Sequence, residues 1–156
     1  MIGTLFDRFR DLRRRRIWSA DQSAGRRGED LAHRFLRRQG FTIVARNYRL
    51  ASGDAEADLI AWEGTTLVFV EVKSRGSEEF GPPERAIGGD KQKNLLRVAR
   101  SYARKSETPW ERVRFDVVTV LLTHPPRIQL IRSSFSAPQW ARAFHSGYLG
   151  GATAGG

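Results

Sequence analysis

Cysteine is missing from this 156-residue chain, and imidazoles are scarce. Without cysteine there is no disulfide, no thiolate nucleophile and no thiolate-bound zinc. His33, His124 and His145 are too widely spaced for a zinc motif, so any metal is expected on oxygen ligands. No apolar run reaches the ~18 residues of a membrane span, and no signal-type apolar stretch follows the basic start. A cytoplasmic location is therefore expected. An apolar share of 40% in this length suits one compact domain around one core.

Positive charge is abundant instead. A formal net charge of +10 predicts attraction to polyanions, either nucleic acid or an anionic membrane. The charge is unevenly spread. Residues 51–80 hold seven acids (Asp54, Glu56, Asp58, Glu63, Glu71, Glu78, Glu79) and two bases (Lys73, Arg75), a net −5, which leaves +15 elsewhere. An acidic island in a basic envelope suits a phosphodiester-cutting metal site, in which the envelope binds phosphates and the island binds the cation.

Residues 1–18 space Ile2, Leu5, Phe6, Phe9 and Leu12 as one face of a helix whose other side is arginine-rich, a basic amphipathic element able to pack on the domain, a membrane or phosphates. A second helix is predicted from Gln22 to Arg38, with Ala24, Gly28, Leu31, Ala32, Phe35 and Leu36 on its apolar face and Gly40 as its stop. Strands are expected at Phe41–Asn47, Glu56–Trp62 and Thr66–Val72, the last two joined by a tight turn at Glu63-Gly64. A helix at Lys91–Lys105 with Asp90 as its N-cap follows, then strands at Val113–Leu122 and Arg127–Ile131 around the break at Pro125-Pro126. The glycine-rich end, Gly150–Gly156, has the composition of a disordered tail. This order predicts an α/β sandwich around a central mixed sheet flanked by helices.

Alternate residues of a strand share a face, so Glu71 and Lys73 point one way while Val70 and Val72 point the other. A two-residue loop at Glu63-Gly64 sets Asp58 opposite Phe69, and a four-residue loop sets it opposite Glu71. Either puts Asp58 on the Glu71 and Lys73 face, within the ~5 to 8 Å of cross-strand neighbours. Leu59 to Ala61 and Leu67 to Val70 mark both strands as interior, where charges need partners or a metal. A plain salt bridge of Lys73 accounts for one carboxylate, and a divalent cation accounts for both.

Asp58 followed by Glu71-Val72-Lys73 after a hairpin resembles the PD-(D/E)XK nuclease motif. With Gly25, Gly28-Glu29, Arg46-Asn47-Tyr48-Arg49, Glu56 to Ala61, Leu67 to Lys73, Phe80-Gly81, Lys91 and Arg114 to Val117, the pattern resembles the YraN family over about residues 22–122. The resemblance implies a restriction-endonuclease-like fold, similarity to Holliday junction resolvases, and a role for Glu29 as the glutamate such enzymes carry on their first helix. Gly25, Glu29, Ala32 and Leu36 do follow helical spacing along the edge of the apolar stripe. Where the family form resembles Gly-Glu-Ile-Asp, this chain has Ala55-Glu56-Ala57-Asp58, so Glu56 is a further ligand or a salt-bridge partner. The domain division expected is an N-terminal basic helix or extension at 1–20, a nuclease-like domain at 21–133 and a C-terminal extension at 134–156.

The expected function is a Mg²⁺-dependent endonuclease acting on DNA, branched or junction forms included. Its metal is held by Asp58, Glu71 and the Val72 carbonyl, with Glu29 direct or through water; Mn²⁺ is an accepted substitute and RNA is not excluded. Lys73 orients the attacking water or stabilises the transition state. Lys91 and Lys93 open a helix suited to a phosphate, although the Lys91 stem also suits core cover, and Arg46, Tyr48 and Arg49 are candidate backbone or stacking contacts, Tyr48 equally a core residue. Asp54 reads as a solvated loop acid, and Asp116, inside an apolar strand, calls for a structural partner such as an arginine in preference to a metal. No small-molecule cofactor is expected, and a homodimer would match a two-fold symmetric junction. The alternatives are a non-catalytic nucleic-acid-binding protein with the same fold and a membrane-surface adaptor that rests on residues 1–18 alone.

Overall fold

A computed structural model describes residues 22–76 and 88–137, so residues 1–18, Phe80-Gly81 and Gly150–Gly156, on which expectations were set, lie outside the described residues. Helix α1 spans residues 22–38, and Gly28, Ala32 and Leu36, four residues apart, form its buried line. Arg26, Arg27, Arg34, Arg37 and Arg38 stay exposed. The helix closes as its glycine stop predicts: Gly40 has φ +92, and the amides of Phe41 and Gly40 donate to the carbonyls of Leu36 (3.0 Å) and Arg37 (3.1 Å). This pairing satisfies the helix's last carbonyls.

Strand β1 (Thr42–Arg49) pairs antiparallel with β2 (Glu56–Glu63), which pairs antiparallel with β3 (Thr66–Arg75). Helix α2 (Gly89–Lys105) carries the chain across to β4 (Val113–Leu121), parallel to β3, and β5 (Arg127–Ile131) returns antiparallel. The sheet order is β1-β2-β3-β4-β5. A five-stranded mixed sheet between two helices is the α/β, restriction-endonuclease-like sandwich expected.

The two middle strands explain why the sheet sits where it does. Leu59, Ile60, Ala61 and Leu67 to Val70 all have 0% exposure, so β2 and β3 must be covered on both faces. Leu59, Ala61, Val68 and Val70 pack with Ala32 and Leu36 of α1. Ile60, Leu67 and Phe69 pack with Leu95, Val98 and Ala99 of α2. Each helix thus covers one parity of the hairpin.

Three local expectations are corrected. The hairpin turn is Gly64-Thr65, not Glu63-Gly64, because Gly64 (φ +58) takes the first loop position and Glu63 pairs with Thr66; positive φ at that position is the II′ habit of glycine. Asp90 does not cap α2. Gly88 occupies the N-cap with an extended backbone, and Asp90 lies in the first turn, where its charge still favours the helix dipole. Strand β3 also runs on to Arg75, three residues beyond the predicted end.

Asp116, with 0% exposure, has the arginine its setting demanded: Arg114 donates Nε to Oδ1 and Nη2 to Oδ2, both at 2.8 Å, and the Ser133 amide adds 3.0 Å. Past residue 133 the chain still packs on the sheet, as Phe135 stacks on Phe115 at 4.6 Å and the Ser134 amide donates to the Phe115 carbonyl. Among the described residues no helix is long and apolar enough to cross a membrane.

Gly28 sets how closely α1 approaches the end of β3. A methyl group at this position would overlap Cβ and Oγ of Ser74. Replacing Gly28 by Ala is expected to destabilise the fold by about 1 to 3 kcal/mol, with a smaller cost in a Ser74→Gly background. Urea denaturation of the two single variants and the double variant measures both; equal costs in the two backgrounds would place the strain elsewhere.

Candidate metal centre

The last ladder pair between β2 and β3 is Leu59 with Val70. One step further, Asp58 and Glu71 stand opposite each other in register, but the ladder has ended. The Asp58 carboxylate takes over: its Oδ2 accepts the Val72 amide at 2.7 Å, in place of a backbone carbonyl. Charge assistance makes this a strong bond. It leaves both carboxylates at one spot, Asp58 with 9% exposure and Glu71 with 2%.

Glu71 draws two lysines from different elements. Lys73, two residues on along the same face of β3, places Nζ 3.2 Å from Oε1; Lys91, in the first turn of α2, places Nζ 3.3 Å from Oε2. The two contacts differ in kind. Glu71 Oε2 is buried and its 3.3 Å contact with the Lys91 ammonium is poorly aligned for a hydrogen bond, a looser ion pair. Burial, then the Asp58 charge, push the Glu71 carboxyl up to about 7, against the pull of Lys91 and Lys73. Burial works against the Lys91 ammonium too, but Glu71 and Asp58 outweigh it and hold its pKa above the usual lysine range.

The remaining predicted residues are scattered around this core. Glu29 Oε2 accepts from Asn47 Nδ2 at 3.2 Å, and among the described residues no three acidic or imidazole side chains gather as a metal cage. Glu56 pairs with Arg49 at 2.8 Å, and Arg46 pairs with Asp30 at 2.5 Å. Tyr48 meets Tyr102 edge-on at 5.3 Å and packs at the margin of the core, while Lys93 is exposed. Asp54 is exposed as expected but is not merely solvated: hydrogen bonds from Arg97 and Ser52 hold its carboxyl down at about 2.

The Lys91 to Glu71 contact was not foreseen, although a signal for it exists. Lys91 lies one turn before buried Leu95, and a helix crossing between parallel strands runs back along them, so its first turn lies near the C-terminal end of β3. That is where the carboxylates are.

The donors fit a hard divalent cation. They are all oxygen, they come from Asp58, Glu71 and the main chain at Val72, and one of them, Oε2, is buried without a hydrogen bond. So few protein ligands suit Mg²⁺, which retains much of its hydration, better than Ca²⁺.

A restriction-endonuclease-like sandwich with an aspartate, a glutamate and a lysine at the end of its central hairpin is a protein of the PD-(D/E)XK class. Residues 28–120 match the family described as "Uncharacterised protein family UPF0102", and the chain belongs to it; this is the YraN family that the hairpin motif resembles. A UPF0102 protein of Solibacter usitatus (strain Ellin6076) is 50% identical over 135 residues, 86% of this chain and 100% of the relative. One of Koribacter versatilis (strain Ellin345) is 46% identical over 71% of this chain and 78% of its own, and one of Nocardia farcinica (strain IFM 10152) is 44% identical over 73% and 90%.

The raised Glu71 value fixes a sign. A carboxyl whose folded-state pKa lies above its ordinary 4.5 contributes stability below that pH and loses it as pH rises through about 7. In metal-free buffer, the unfolding free energy of the wild type should carry a declining component between these pH values that Glu71→Gln lacks. Urea titrations across the range measure it, and parallel curves for the two proteins would contradict the assignment.

Proposed function

We propose that this protein is a magnesium-dependent endonuclease that hydrolyses phosphodiester bonds in DNA, branched or junction forms included. The observation that carries the reading is Glu71 Oε2, a carboxylate oxygen buried beside a second carboxylate and lacking a hydrogen bond. Two carboxylates set this close and this dry are costly unless cations gather on them, and a divalent ion brings two charges to one point where the lysines bring them separately. Asp58, Glu71 and the Val72 carbonyl would hold the metal, Mg²⁺ or Mn²⁺, with Glu29 joining through water after leaving Asn47. When bound, the ion supplies charge neutralisation at the scissile phosphate and a more acidic water.

The chain's own residues do the rest. Lys73, anchored by Glu71 Oε1, keeps a fixed ammonium where charge builds on the phosphate during attack. Asp58, tied to the Val72 amide, is held in one rotamer and keeps the two strands at a set separation. The exposed arginines of α1 and exposed Lys93 provide phosphate contacts. Arg46 and Arg49 join them by exchanging Asp30 and Glu56 for phosphate oxygens, and Tyr48 stays with Tyr102 as their support. Such a surface does not tell DNA from RNA. A cytoplasmic enzyme acting as a homodimer fits the two-fold symmetry of a junction.

A second reading, a nucleic-acid-binding protein without catalysis, draws on one feature: Lys73 and Lys91 already balance the two carboxylates. One assay separates the two. Wild type with Mg²⁺ should cut branched, flapped or duplex DNA, and Asp58→Ala or Lys73→Ala should lower the rate about 10²-fold or more. Variants that cut as well as wild type would sink the site assignment, and junction binding without cleavage of any substrate would favour the second reading.

A further inference from the structure

We infer that Lys91 is a built-in stand-in for the metal: its ammonium holds the place beside Glu71 Oε2 that a divalent cation takes, and cation binding frees it for a phosphate oxygen of the substrate. The inference rests on the metal site proposed above and assigns Lys91 a regulatory place within it.

Three features lead there. First, Glu71 already has a partner on its own strand, Lys73 at Oε1, and Asp58 Oδ2 accepts the Val72 amide, so Oε2 is the Glu71 oxygen left to α2. Second, Lys91 meets that oxygen at 3.3 Å without an aligned hydrogen bond. This is a Coulombic contact that a better-coordinating cation can replace. Third, the Lys91 side chain retains 30% exposure while Glu71 is almost fully buried. A four-carbon stem can withdraw toward solvent without moving the helix, whereas the carboxylate cannot move.

Two cations cannot share one buried carboxylate oxygen without strong repulsion. The carboxylates Glu71, Asp58 and Glu56 all attract Lys91 in the metal-free protein. A divalent ion at the pair cancels most of that field, so the ammonium is released close to where the scissile phosphate must lie. The same lysine therefore lowers metal affinity before substrate arrives and adds phosphate affinity afterward. These roles have opposite signs, which a purely structural lysine or a simple phosphate contact would not produce.

Isothermal titration of full-length protein with Mg²⁺ and with Mn²⁺, comparing wild type with Lys91→Met, tests the first sign. The variant should bind either ion at least fivefold more tightly, yet cut DNA at least tenfold more slowly at saturating metal. In wild type, amine-directed labelling read by peptide mass spectrometry should rise at Lys91 when Mg²⁺ is added and stay constant at Lys105, and this arm stands even if the variant does not fold. Metal affinity that is unchanged or weaker in a folded variant overturns the inference, as does Lys91 labelling that does not respond to Mg²⁺. If wild type binds ions and cuts DNA while either result holds, the inference alone fails; a wild type that binds no divalent ion overturns the nuclease reading with it.

Discussion

The bond from the Val72 amide to the Asp58 carboxylate is where the backbone of the sheet and the chemistry of the site meet. A regular antiparallel ladder would carry backbone pairing past Asp58, and the side chain would have no duty there. Instead the carboxylate replaces a main-chain acceptor just past the last pair, Leu59 with Val70. This ends the pairing, satisfies an amide at the edge of the core, and holds a negative charge opposite Glu71. The high Glu71 value and the pull on two lysines from separate elements follow from having two carboxylates in one nearly dry place.

The scaffold serves that placement from both faces. Helix α1 comes close to the end of β3 because Gly28 offers Ser74 no side chain to meet. Helix α2 returns from β3 toward β4 with its first turn at the carboxylates, which delivers Lys91. The Arg114 and Asp116 pair belongs to a separate network that includes Glu63 and Arg132, at the turn end of the hairpin. The buried ionic groups at the two ends of β2 differ accordingly. At the turn end arginines meet carboxylates in aligned bonds; at the other, Glu71 Oε2 is left with the looser ion pair to Lys91.

Much of this is legible in the sequence. Helix α1 was bounded by its apolar spacing and Gly40, and the two central strands by apolar runs too short for helices. Strand parity placed Glu71 and Lys73 together without need of the turn. The turn lies one residue beyond the one that composition suggests, since Glu63-Gly64 and Gly64-Thr65 are both acceptable compositions and only the φ of Gly64 separates them. That single residue moves the register by two, and it decides that Asp58 faces Glu71 and not Phe69. For Asp116 the sequence shows the need for a structural partner, because a buried carboxylate requires donors, and an arginine two residues earlier on the same face of β4 supplies them. Asp54 could not be matched to Arg97, because the two are 43 residues apart and meet only when α2 folds back.

The sequence alone determined the layers of the fold, the face that carries Glu71 and Lys73, and the family, because periodicity and local motif are properties of contiguous residues. Tertiary structure decided the charge state and company of the site. Whether Glu71 is dry, whether Asp58 bonds an amide, and which lysine reaches Oε2 all depend on distances between segments that the chain order leaves free. Those distances are set by packing, through Gly28 against Ser74 and through α2 on the opposite face, and no local pattern encodes them.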